Sequence, residues 1–339
     1  MPNRLLRSLA LLAAMLVAQA AAPAKAAASA CLDTALLQAA PPRALAMAAA
    51  ARQEHQAFGA QTMDAEGRLV SSGDSEAEDT RRTLLATPPW QRVLRYWEAV
   101  GPDERRQPSQ IRFGALRPAD RTLLKQALNQ ASAARLQGLG VGLDLGLESA
   151  ELRATQVALD RVAVIDTPWS AAFISWLARQ AGLDAGEFAF SEAHADYAAA
   201  AWQAGLDEAA GRPTRYAMRA CDIRATPPRV GDLVCQARAT AAGLDDFEKI
   251  GSALARRSAG LEGEALPMHC DVVVAVDAGG FDTVGGNVLQ SVSLRRLDFA
   301  PGQRVLDRSY LADACVAGTP GCIDRHMSRQ PWSLLLQWR

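Results

Sequence analysis

The nine residues HCDVVVAVD, His269 to Asp277, constrain the fold more than any other stretch. Their middle is an unbroken β-branched run, which suits a pleated, buried surface better than a helix. A buried strand needs partners, and the sequence supplies them: GDLVCQAR before it, NVLQSVSLRRL with alternating polarity after it, and PWSLLLQWR at the end. Upstream the period changes. In DTPWSAAFISWLARQAG, Asp166 to Gly182, the residues Phe173, Trp176, Leu177 and Ala181 recur at three- and four-residue spacing, with Pro168 outside the start and Gly182 at the end. That pattern predicts a buried helix over about 169–181. FAFSEAHADYAAAAWQ reads as a second helix. Helices followed by antiparallel strands predict an α+β domain over 166–339.

The region 31–165 reads as helical. PPRALAMAAAARQEHQAF is a helix ending near Gly59, and MDAEGRLVSSGDSEAEDTRR is a polar surface loop. In PPWQRVLRYWEAVG, the residues Val93, Leu94, Tyr96, Trp97 and Val100 keep helical spacing and are expected in the core, with Gly101 as the stop. Residues 102–160 read as an inserted segment: a Pro- and charge-rich linker, a helix from Pro118 to Gly138, and a glycine-rich connection. The glycines at 138, 140, 142 and 146 lack the G-x-G-x-x-G spacing of a dinucleotide loop.

Residues 1–30 read as an export signal. Arg4 and Arg7 precede the apolar run SLALLAAMLVAQAAA, and small-residue cleavage sites follow. The run is too short and Ala-rich for a membrane span, and no later stretch approaches ~20 apolar residues. Lipid attachment at Cys31 is the alternative anchor. A periplasmic or secreted protein is expected, with no membrane span after signal removal. The whole chain has formal charge −1, from 36 basic and 37 acidic residues, so no nucleic-acid partner is expected. Six cysteines in an oxidising compartment are expected to be bridged. Cys315 and Cys322 flank the turn-rich VAGTPG and are a plausible local pair; Cys270 is placed for a bridge, with Cys235 as a candidate. No C-x-x-C pair exists and the histidines lack ligand spacing, so no metal or cofactor is expected.

Three elements bear on chemistry. Ser170 stands in the first turn of its helix, where unpaired backbone N–H groups and the positive dipole end stabilise an anion. It either caps the helix or acts as a nucleophile. His269 opens a strand, sharing a face with Asp271 and Val273, while Cys270, Val272 and Val274 take the other. Gly285-Gly286 predicts a bend before Asn287, which opens the next strand and can orient a histidine ring, or simply makes a turn.

In order, PWSAAFISW, GDLVC, HCDVVVAVD and VGGNVLQSVSL resemble the papain-like cell-wall hydrolases of the CHAP and NlpC type. More closely, the chain resembles the bacterial domain-of-unknown-function family numbered 2272, with the RVLRYW-like helix upstream. The wider resemblance covers about 166–300, and the narrower one is expected to begin near Arg52. It implies a papain-like α+β core, a helix on a small antiparallel sheet. It implies Ser170 as nucleophile in place of cysteine, His269 as general base and Asn287 as orienting residue. Trp169, Asp166, His194 and Asp271 are expected to contact substrate; Ser191 and His194, three apart, are expected on one helix face. The implied activity is cleavage of an amide bond in peptidoglycan or a peptide. The alternative is a non-catalytic envelope protein that uses the same cleft to bind.

Overall fold

A computed structural model describes residues 29–73, 75–78, 87–100, 165, 167–260 and 265–339. Nearly all of the export segment, Asp166 and the whole of the 102–160 segment lie outside these residues, so the expectations placed there are not addressed by it.

After a helical stretch over 29–37, the elements are α1 (Pro42–Ala57), β1 (Thr62–Met63), β2 (Leu69–Ser71), α2 (Pro89–Val100), α3 (Ser170–Gln180), α4 (His194–Ala209), β3 (Met218–Cys221), β4 (Leu233–Ala237), α5 (Phe247–Ser258), β5 (Met268–Val276), β6 (Gly280–Val288), β7 (Ser291–Asp298) and β8 (Trp332–Trp338). The fold is α+β. One eight-stranded sheet runs in the order β2-β1-β7-β6-β5-β4-β8-β3. Its pairings are antiparallel except β1 with β7.

Alternation along the strands builds two apolar layers. Cys270, Val272, Val274, Leu334 and Leu336 join α1 to α4 in one cluster. Val234, Val273, Leu335, Phe281 and Trp332 form the second with Tyr310 and Leu311. Val93, Tyr96 and Trp97 of α2 are buried in the first cluster, so the helical N-terminal region shares one core with the β-rich half.

Four sequence expectations need correction. The polar stretch after Gly59 is not all loop, because β1 and β2 extend the sheet edge. NVLQSVSLRRL is not one strand. Leu289 and Gln290 take positive φ (51° and 56°) and form a two-residue turn between β6 and β7. Consequently Asn287 stands near the end of β6, at φ 57°, and does not open a strand. Gly285-Gly286 is likewise no bend: both lie inside β6, where each permits a close approach.

Three disulfides use all six cysteines: Cys31–Cys221, Cys235–Cys270 and Cys315–Cys322. Cys235 and Cys270 are register partners on β4 and β5, with Cα atoms 4.1 Å apart. The bridge thus fixes the register of the strand that carries His269. Three disulfides suit an oxidising compartment. No helix among the described residues is long and apolar enough to cross a membrane.

Candidate functional site

Ser170 is the first residue of α3, and Trp169 is its N-cap without any side-chain capping bond. The capping role is therefore unfilled. The Ser170 hydroxyl instead meets His194 Nε2 at 2.7 Å, on the first residue of α4. The other ring nitrogen, His194 Nδ1, is hydrogen-bonded to the Tyr197 hydroxyl, one helical turn further along. The first intrahelical bond of α3 that uses the N-cap carbonyl runs from Phe173 N to Trp169 O. The N–H groups of the turn before it have no intrahelical acceptor.

His269 stands beside this pair, its ring centroid 5.3 Å from that of His194. Its Nε2 lies 2.8 Å from Asp271 Oδ1. Asp271 is 1% exposed. Thr283 Oγ1 donates to its second oxygen at 3.3 Å, and an Arg295 guanidinium nitrogen stands 3.8 Å from the same atom. Burial works to raise the Asp271 pKa, but Arg295 and His269 outweigh it and hold the carboxyl below its usual range. Gly285 makes room for this acid: a Cβ there would overlap Asp271 Oδ1 and stand 3.1 Å from His269 Nε2. Gly286 does the same for Phe173 of α3 on the opposite side.

The two histidines sit in opposed environments. Burial, then the neighbouring His269 and Arg238, push His194 well below the usual imidazole pKa, so it stays neutral. Burial pushes the Tyr197 phenol well up, so it keeps its proton. His269 has a carboxylate to share its proton with, whereas His194 has only a hydroxyl on each side.

Ser170, His194, His269 and Asp271 are thus one cluster, and the structure changes several expected roles. Ser170 is bonded to His194, which sequence reading placed as a substrate contact, and has no hydrogen bond to His269, the expected base, among the described residues. Asp271, also placed as a substrate contact, is instead the group that holds His269. Asn287 has no hydrogen bond to His269 among the described residues, and its backbone lies in β6 where the register against β7 shifts. Trp169 is fully buried between Phe58 and Tyr96 and is a core residue, with no surface for substrate. Ser191 lies before α4 rather than on it, bonded to Asp196 and to Ala193 N. Tyr197 was missed, although its place three residues after His194 on a helix puts it on the same face. Arg295 was missed because its meeting with Asp271 depends on strand pairing.

The family described as an uncharacterized protein conserved in bacteria, DUF2272, matches residues 143–338, and the chain belongs to it. The match begins within the segment read as an insertion and leaves out the region near Arg52. No curated protein and no solved structure matches the chain.

Proposed function

We propose that this DUF2272 member is an exported hydrolase that cleaves an amide bond by acyl transfer to Ser170, on a papain-like core, with peptidoglycan or a cell-wall peptide as substrate. The observation that carries the reading is the Ser170–His194 contact at 2.7 Å, set against an imidazole held by a buried carboxylate. His269 is the general base in this scheme. A base must accept a proton, and Asp271 holds the His269 ring in place by a hydrogen bond at 2.8 Å. Nε2–H of His269 donates to Asp271, an acceptor only, so Nδ1 keeps the lone pair.

Donor counting gives His194 a different part. Each of the two buried hydroxyls beside His194 has that ring as its one hydrogen-bond partner among the described residues, so the neutral ring donates to one and accepts from the other. In this scheme the Ser170 proton is kept for His269, so Tyr197 donates to Nδ1 and His194 carries its proton on Nε2, directed at Ser170 Oγ. That neutral N–H positions the nucleophile at rest. It is then available, with the N–H groups of the α3 first turn, to the oxyanion. In the reaction, Ser170 Oγ bonds the carbonyl carbon as its proton passes to His269 Nδ1. That proton goes to the leaving nitrogen as the C–N bond breaks, and water hydrolyses the acyl-serine.

The test is labelling by a fluorophosphonate, a small serine-directed reagent, together with amine release from purified peptidoglycan. The wild type is expected to do both and Ser170→Ala neither. His269→Ala is expected to label at least ~10³-fold more slowly, and His194→Gln by a smaller factor. Unchanged labelling in His269→Ala overturns the assignment of the base. A folded wild type that neither labels nor releases amine overturns the hydrolase reading and leaves the cleft to a binding function.

A further inference from the structure

Gln236 on β4 and Arg238, the residue just after its end, lie beside this site without a role in it. Gln236 is the register partner of His269, so their side chains share one face of the sheet, with Cβ atoms about 4.5–5.5 Å apart. Gln236 is 6% exposed, and its Oε1 is buried with no hydrogen-bond partner among the described residues. A native protein seldom leaves such an acceptor unmade without a use for it. The pairing of β4 with β8 shifts register between Cys235 and Gln236, an irregularity that re-aims the side chains next to it. Two residues on, Arg238 continues the extended backbone (φ −143°, ψ 172°) and so returns to the same face. Its N–H donates to Pro267 O at 2.9 Å, which keeps it against the start of β5. Arg238 is exposed, and its guanidinium has no ion pair or hydrogen bond among the described residues. Its charge is felt by His194 and Tyr197.

We infer that Gln236 and Arg238 form a subsite for the carboxylate-terminated end of a peptide, with Gln236 Oε1 accepting the terminal amide N–H and Arg238 pairing with the free carboxylate. An N-acylamino acid carries an amide N–H and a carboxylate one Cα apart. An acceptor and a long, planar, bidentate cation on alternate residues of one strand match that pair. The acceptor lies beside His269, so the bound N–H belongs to the leaving nitrogen, which His269 must protonate. This rests on the hydrolase reading and narrows it: the terminal amide is cut and a free amino acid leaves. The exposure gradient agrees, from Ser170 at 2% through His269 and Gln236 at 6% to exposed Arg238 at the rim.

The test uses N-acetylglycine and its neutral counterpart N-acetylglycinamide, with affinity read by chemical-shift titration of the full mature chain. This readout needs no turnover, so it is independent of whether Ser170 reacts. The wild type is expected to bind the acid at least ~10-fold more tightly than the amide. Arg238→Gln is expected to remove that preference while leaving the weak binding of the amide unchanged. Gln236→Leu, similar in size, is expected to weaken both. Equal affinity for acid and amide in the wild type, or a preference that survives Arg238→Gln, overturns the subsite. Loss of fluorophosphonate labelling with the acid preference intact would instead remove the hydrolase reading and keep the anion site. Should Gln236→Leu disturb the sheet, Gln236→Glu is the second variant: its carboxylate repels the acid, so the acid preference must fall while the amide still binds.

Discussion

Replacing Gly285 by alanine tests the catalytic geometry without removing any polar group. A Cβ at this position would lie 2.8 Å from Asp271 Cγ, overlap Oδ1, and stand 3.1 Å from His269 Nε2. Ordinary contact between carbon atoms begins near ~3.5 Å, so the carboxylate must retreat by roughly 1 Å. Asp271 has nowhere easy to go, because Thr283 and Arg295 stand against its second oxygen. The His269–Asp271 bond, 2.8 Å at rest, then stretches past hydrogen-bonding reach. Overpacking of this kind costs about 1–3 kcal/mol of stability. The larger effect is on chemistry, since ~1 Å of misplacement costs on the order of 10² in rate, and loss of the acid's orienting role as much as ~10⁴. The assay is the fluorophosphonate labelling rate, with urea denaturation as the check on folding. Gly243→Ala, with nothing within 4 Å of the added Cβ, is the control and should match the wild type in both. A folded Gly285→Ala protein that labels at the wild-type rate would refute the claim that His269 works through Asp271.

Two further outcomes follow from the fold. Removing the Cys235–Cys270 bridge as a double alanine variant frees a separation of 35 residues, worth about 3–4 kcal/mol by loop entropy, and should appear as a lower urea midpoint. The longer Cys31–Cys221 separation of 190 residues should cost more, about 5 kcal/mol on the same scale. His194 makes stability depend on pH with a defined sign. Its folded pKa is depressed, so its contribution is present above the unfolded value of ~6.5 and is lost as pH falls. The slope from this one group approaches ~1.4 kcal/mol per pH unit until the folded ring protonates. Urea unfolding of the wild type and His194→Gln between pH 7 and 5 should differ by a slope of that sign, and parallel curves would refute it.

The sequence revealed what depends on short-range periodicity. The β-branched run in HCDVVVAVD forecast β5, and the three- and four-residue repeat from Phe173 to Ala181 forecast α3, because burial on one face is written into neighbouring positions. The same alternation separated Cys270 from His269 and left it free to bridge Cys235. Pairing across the sheet was not legible. Asn287 was given an orienting role by the family resemblance and by reading NVLQSVSLRRL as one strand that opens after a Gly-Gly bend; the turn at Leu289 and Gln290, residues without a strong turn signature, instead leaves Asn287 near the end of β6. Asp271 was two residues from His269 throughout, yet its role depends on Gly285 from a different strand making room. Trp169 failed for the opposite reason: nearness to Ser170 in sequence says nothing about facing the cleft, and its ring joined Phe58 and Tyr96 in the core.

Two imidazoles 5.3 Å apart pose an electrostatic problem that one does not, since both cannot carry charge in a buried site at low cost. The fold divides the labour by what stands behind each ring. Behind His269 is a carboxylate, itself compensated by Arg295 at 3.8 Å, so the charge formed there during a reaction has a counter-ion already in place. Behind His194 is a phenol that burial keeps protonated, and in the proposed scheme that phenol donates to Nδ1 so that the neutral ring donates toward Ser170. A serine in place of cysteine makes such a division useful. A thiol can shed its proton to a single imidazole before substrate arrives, whereas a hydroxyl must be aimed first and deprotonated only during attack. In the proposed reaction, one histidine that aims and a second that takes the proton meet both requirements, and exchanging their parts would require moving Asp271 or Tyr197.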